Sequence, residues 1–128
     1  MRIAIVAVAA WAFGIGCACA DDNANKQLQG ETLKKAVSGK TVRLATPLGT
    51  LPIKFRMDGT MSGTAGELAA YTGSDADNGR WWVNSEKLCQ RWRTWLNGQT
   101  YCFTLRQEGR LVHWVRNDGL SGKATILR

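Results

Sequence analysis

The segment GRWWVNSEKLCQRWRTWLNGQTYCF, residues 79–103, brings four tryptophans together with Cys89, Cys102, Arg80, Arg91 and Arg93. Its register decides the fold, because bridged cysteines need Cα atoms within about 7 Å of each other. A two-residue hairpin at Asn97-Gly98 would set Cys89 opposite Arg106 and Cys102 opposite Arg93. The cysteines would then stand roughly four residues out of step, at about 3.3 Å per residue, too far to bridge. Pairing Cys89 with Cys102 instead places Thr94, Trp95, Leu96 and Asn97 in the connecting loop and leaves Gly98 free to turn left-handed. In that register Leu88, Gln90 and Trp92 share a face with Phe103, Tyr101 and Gln99, while the cysteines, Arg91, Thr100, Thr104 and Arg106 take the other.

The following hairpin, read as turning at Glu108-Gly109, pairs Phe103 with Trp114 and Leu105 with Val112. One apolar face then runs through Leu88, Trp92, Phe103, Leu105, Val112 and Trp114, which is the expected core. Alternation buries one of Trp81 and Trp82 and turns the other outward. Trp95 is left over, beside Leu96 at a loop tip that should be polar. Either the loop folds back and buries it, or Trp95 and Leu96 join Arg91 and Arg93 in a ligand grip. Aromatic rings stack on sugars or bases, and arginine holds anions.

Outward from this segment the punctuation is that of an all-β chain. TVRLAT, LPIKFRM, GELAAYT, GRWWVN, KLCQRW, TYCFTLRQ, RLVHWVR and KATILR are strand-length runs, separated by Asp58-Gly59, Asn97-Gly98, Glu108-Gly109 and Asp118-Gly119. The spacing predicts an antiparallel meander of six to eight strands, barrel-like or strongly curved. The one helix expected is short: ETLKKAVSG puts Leu33, Ala36 and Val37 on one face, with Gly39 to stop it. FRMDGTMSGTA and VRNDGLSGKA echo each other, and two similar hairpin turns account for the match better than a duplicated half.

The N-terminus reads as export. One arginine, an uncharged apolar run and Ala18-Cys19-Ala20 make a signal-peptide pattern over residues 1–20, with cleavage after Ala20. Gly16 before Cys17 would suit a lipid anchor, but Gly14 stands where a bulky aliphatic is expected. Residues 21–30, DDNANKQLQG, read as a flexible leader, and residues 31–128 as one disulfide-stapled β-domain. No transmembrane segment is expected after cleavage. The protein is therefore placed in the periplasm or secreted, where Cys89 and Cys102, an even pair, are expected to be oxidised.

Net charge is +7, all of it but Arg2 outside the signal segment. In an exported chain that favours an anionic envelope polymer over any physiological nucleic acid. Catalytic chemistry is not indicated: the single histidine, His113, sits between Val112 and Trp114 with no nucleophile motif. DADNGRWWVNSE spaces Asp75, Asp77 and Glu86 as a calcium loop would, but Arg80 stands where that loop needs glycine. No cofactor or metal is expected.

The elements GRWWV, LCQRW, YCF and RNDGLSGKATI, with the turn Asp58-Gly59-Thr60, resemble a set of small exported alphaproteobacterial proteins that share a short helix, a D-G-T turn, a G-x-W-x-V strand and a paired-cysteine hairpin. The resemblance spans residues 31–128 and implies a periplasmic, disulfide-bonded β-domain without supplying an activity. Periplasmic lysozyme inhibitors are also small disulfide-bonded barrels, but their cationic targets would meet like charge here. The expectation is a non-enzymatic envelope domain that binds an anionic component, with a protein partner or inhibited envelope enzyme as the alternative.

Overall fold

The computed structural model describes residues 26–128. The signal-peptide reading lies outside the described residues. Nine strands and two helices follow in order: β1 (Lys26–Gln27), α1 (Gly30–Val37), β2 (Thr41–Thr46), β3 (Gly49–Phe55), β4 (Thr60–Thr64), α2 (Ala69–Thr72), β5 (Ala76–Asn84), β6 (Lys87–Trp92), β7 (Thr100–Glu108), β8 (Leu111–Arg116) and β9 (Ser121–Leu127). Strands β2 to β9 pair in sequence, all antiparallel. The last returns to the first through Thr41↔Leu127 and Leu44↔Ala124, so the meander closes into an eight-stranded barrel. Closure removes the sheet edges that an open meander would leave unpaired.

The cysteine hairpin has the expected register: Leu88↔Phe103, Cys89↔Cys102 and Arg91↔Thr100. The disulfide spans a Cα–Cα distance of 4.0 Å on the outer face. Gly98 takes a left-handed φ of 64°, as do Leu96 and Asn97 before it. The next hairpin differs from expectation by two residues. Leu105 pairs with Trp114 and Gln107 with Val112, because the turn is made by Gly109 and Arg110 rather than by Glu108 and Gly109. A two-residue slip keeps every side chain on its own face, so the apolar face still includes Leu88, Trp92, Phe103, Leu105, Val112 and Trp114.

Three elements depart from the sequence reading. GELAAYT is not a strand: Gly66–Leu68 forms a 3-10 turn that runs into α2. Its apolar residues are consecutive instead of alternating, alanine and leucine favour helix, and Gly73 at φ 96° ends it. The strand Thr60–Thr64, rich in glycine and hydroxyls, carries little apolar signal and belongs to the barrel all the same. The leader is not free over its last residues. Lys26 and Gln27 pair with Gln107 and Arg106 where β6 has ended, and Leu28 is buried.

The two ends of the barrel are finished differently. At one end lie the β3–β4, β5–β6 and β7–β8 turns together with α1. Gly30 N–H donates to Ser85 O and Gly39 N–H to Phe55 O, tying the helix across that end. Leu33 and Val37 are 0% and 1% exposed, so α1 stoppers the barrel with its apolar stripe. At the other end lie the β2–β3 turn, α2, the Trp95 loop and the β8–β9 turn. The echoed segments prove to be the same turn built at opposite ends. In each, an arginine backbone N–H donates across the turn (Arg56 N–H to Thr60 O, Arg116 N–H to Leu120 O), and an aspartate Oδ1 accepts from the N–H of the residue two ahead.

Candidate functional site

Inward positions alternate along every strand of the barrel, yet they do not fill it. Several are the smallest residues available: Gly63 on β4, Gly122 and Ala124 on β9. Tryptophan rings lie against the glycines. A Cβ at Gly63 would fall 2.5 Å from Cζ3 of Trp95 and 3.0 Å from Cη2 of Trp92, and one at Gly122 would fall 2.5 Å from Cζ2 of Trp114. With the large rings laid flat on the wall, a cavity of about 650 Å³ remains, walled by aliphatic residues such as Leu44, Leu51, Ile53 and Leu105. Val37 of α1 lines it at the stoppered end. Eight-stranded barrels are wide enough either to be filled by side chains or to hold one small ligand, and in this one the side chains leave the interior partly unfilled.

The other end is open and apolar. Tyr71, Leu96 and Leu120 line the mouth and are 72%, 41% and 51% exposed, and Leu48 beside them in the β2–β3 turn is also exposed. Arg116 stands at the same mouth. Its Nε and Nη2 donate to the two carboxylate oxygens of Asp118 at 2.8 and 2.6 Å, and its guanidinium carbon lies 4.2 Å from the Tyr101 ring centre. Hydrogen bonding from Arg116 holds the Asp118 carboxyl down to about 2.

Two polar groups of the barrel interior are unmatched among the described residues. The side-chain amide of Gln90, a residue 8% exposed, lines the cavity without a hydrogen-bond partner among the described residues. Nε1 of Trp114 is buried without a partner as well. Buried polar groups are paired in the great majority of cases, because leaving one unmatched costs about 1–3 kcal/mol. The Trp114 N–H is packed against Gly122 and closed off, so the Gln90 amide on the wall of the apolar chamber is the group that a ligand with one polar function would satisfy.

The structure separates the four residues expected to form one grip. Trp95 is 3% exposed. Its loop folds back over the open end, and the ring packs on Trp92 with centroids 4.6 Å apart. Its Nε1 donates to Ser74 Oγ at 2.8 Å. The exposed contact is therefore not made by Trp95, which becomes part of the cavity roof, with Leu96 at the rim. Asp77 fixes this loop: Oδ2 accepts the N–H groups of Thr94 and Trp95, both at 2.8 Å. Burial raises the pKa of Asp77, but the N–H groups of Trp95, Thr94 and Asn78 outweigh it and keep the carboxyl below its ordinary value. Asp77 thus has a structural task, and Glu86, at the far end of β5, cannot join it around one cation.

Arg91 and Arg93 lie elsewhere, in a shallow groove on the outside of β4, β5 and β6. Arg56, Arg80 and the half-exposed Trp82 share it with them. Arg91 donates Nε to Gly98 O at 2.8 Å, and Arg56 donates Nη2 to Ser62 Oγ at 3.0 Å. His113 lies on the barrel wall, 3.8 Å from Glu108.

The cavity was not foreseen from the sequence. Its signal, small residues at inward positions opposite tryptophans, is visible only after all eight registers are known. Among the described residues no helix is long and apolar enough to cross a membrane. Comparison with protein-family models, with curated proteins and with solved structures finds no match, which leaves the geometry of the barrel to carry the functional reading.

Proposed function

We propose that this chain is an exported, non-enzymatic binding domain whose barrel takes up a small, mainly apolar molecule bearing one polar function. The observation that carries this is the apolar cavity, closed by α1 and open between Tyr71, Leu96 and Leu120, with the Gln90 amide on its wall. A cavity of a few hundred Å³ with a largely apolar lining and a few placed polar groups is the usual form of a small-molecule site. Transfer of hydrocarbon from water into it supplies about 25 cal/mol per Å² of apolar surface buried. The Gln90 amide gives orientation.

The test uses an uncharged fluorescent probe, N-phenyl-1-naphthylamine, so that the basic surface does not contribute. It is expected to bind once per chain, saturably, with energy transfer from the interior tryptophans, and to be displaced by a long-chain alcohol. Ala124→Phe, which projects a ring into the cavity from β9, is expected to weaken binding by about tenfold or more, roughly 1.4 kcal/mol. Far-UV circular dichroism reports that the variant is folded. No saturable binding, or binding indifferent to Ala124→Phe, sinks the proposal.

A further inference from the structure

We propose a second, independent site: the outer groove across β4, β5 and β6 binds a polymer of acidic sugars. Strand alternation that sends Trp81 inward sends Arg80 and Trp82 outward, and Arg80 is the cross-strand partner of Arg91. Like charges set directly opposite each other destabilise a sheet. Neither Arg80 nor Arg91 enters the ion pairs His113 with Glu108 or Arg116 with Asp118. Arg56, Arg80, Arg91 and Arg93 line one groove whose lining holds no carboxylate, with Asp58, which feels the Arg56 charge, beside it.

The class of ligand follows from what accompanies the charge. All four cations are arginines, whose planar forks match carboxylate or sulfate oxygens in pairs. Trp82 is 40% exposed in their midst, a flat ring on a sheet surface with no buried role. Thr60, Asn78 and Thr100 also line the groove and supply neutral hydrogen-bonding groups. An aromatic face for a sugar ring, hydroxyl and amide partners for its hydroxyls, and forks for its acid group together fit a carboxylated or sulfated sugar better than a bare anion. The groove is shallow and open, so it suits a chain passing across the surface. Trp92 is the one residue lining both this groove and the barrel cavity, whereas Arg80, Arg91 and Trp82 line the groove alone and can be changed without entering the cavity.

The test measures binding of the oxidised protein to oligogalacturonate, with neutral maltodextrin, polyglutamate and oligothymidylate as comparisons, at about 0.15 M salt where exposed charges are screened within about 8 Å. Oligogalacturonate is expected to bind at least about tenfold more tightly than polyglutamate or oligothymidylate, with no detectable binding of maltodextrin. The double variant Arg80→Gln/Arg91→Gln and the single variant Trp82→Ala are each expected to weaken it by about tenfold while leaving uptake of N-phenyl-1-naphthylamine unchanged. Polyglutamate binding equally well with no effect of Trp82→Ala would reduce the groove to a nonspecific cation and overturn the proposal. So would tighter binding of oligothymidylate, or no binding of oligogalacturonate.

Discussion

Whether Trp95 is a roof beam or a free contact can be decided by a double-mutant cycle with Gly63. A methyl group added at residue 63 would lie 2.5 and 2.8 Å from Cζ3 and Cη2 of Trp95, closer than carbon atoms pack, while the backbone there needs no left-handed angle. Nothing in the strand itself opposes alanine. The clash alone sets the cost, and inserting a methyl group into a packed core costs about 1–3 kcal/mol. Trp95→Ala by itself should cost about 3–5 kcal/mol, the usual range for deleting a buried aromatic. In the Trp95→Ala background the two closest contacts over residue 63 are gone and Cη2 of Trp92, at 3.0 Å, is the tight contact left, so Gly63→Ala should then cost clearly less than in the wild type. The coupling energy is expected at about 1–3 kcal/mol, within the range for side chains in direct contact. Urea unfolding followed by far-UV circular dichroism gives all four stabilities without relying on the fluorescence of the altered tryptophan. Equal costs for Gly63→Ala in the two backgrounds would show that the ring does not rest on β4, and the roofed cavity would be wrong with it.

The carboxylate that holds the same loop predicts a pH effect. Because the folded-state pKa of Asp77 is depressed, the unfolded chain takes up the proton first as pH falls. Its contribution to stability is thus complete above the ordinary carboxylate range and is lost as pH drops through that range towards the lower folded value. Asp77→Asn should flatten part of this acid loss in urea unfolding compared at pH 7 and pH 3. Asp77→Ala, which leaves two N–H groups unpaired, should cost about 2–4 kcal/mol at pH 7. An acid loss identical in wild type and Asp77→Asn would remove Asp77 from this role. Replacing Cys89 and Cys102 together by alanine should cost about 3 kcal/mol for a bridge spanning 13 residues, and should leave probe binding intact because the bridge lies on the outer face. Two free thiols in protein exported to an oxidising compartment would contradict the pairing itself.

Much of the barrel was legible because hairpin pairing is local. Cys89 and Cys102 fixed one register by covalent geometry, and alternation from that point gave the buried face of β6, β7 and β8 and required one of Trp81 and Trp82 to be inside, which the structure shows to be Trp81. The β7–β8 register was off by two, since Glu-Gly and Gly-Arg are both acceptable turn pairs and either choice leaves the same residues inside. Thr60–Thr64 escaped notice because a strand of Thr, Ser and Gly has almost no apolar period. It forms because its neighbours on both sides need partners. GELAAYT was misread for the opposite reason: it has strand length and apolar content, but its apolar residues do not alternate.

The sequence by itself determined the β class, the helix-stopping Gly39, the disulfide and the facing of Trp92, Tyr101, Phe103 and Trp114, because each depends on neighbours a few residues away. Tertiary structure alone decided that the sheet closes, that α1 seals one end, and that Trp95 folds under cover. These depend on β2 meeting β9 and on a loop meeting Gly63 and Asp77 across the barrel, contacts between residues far apart in the chain that no local period encodes. The same closure made both proposed sites. It left a chamber where small residues face tryptophans inside, and gathered in one groove on the outside four arginines from separate segments of the chain.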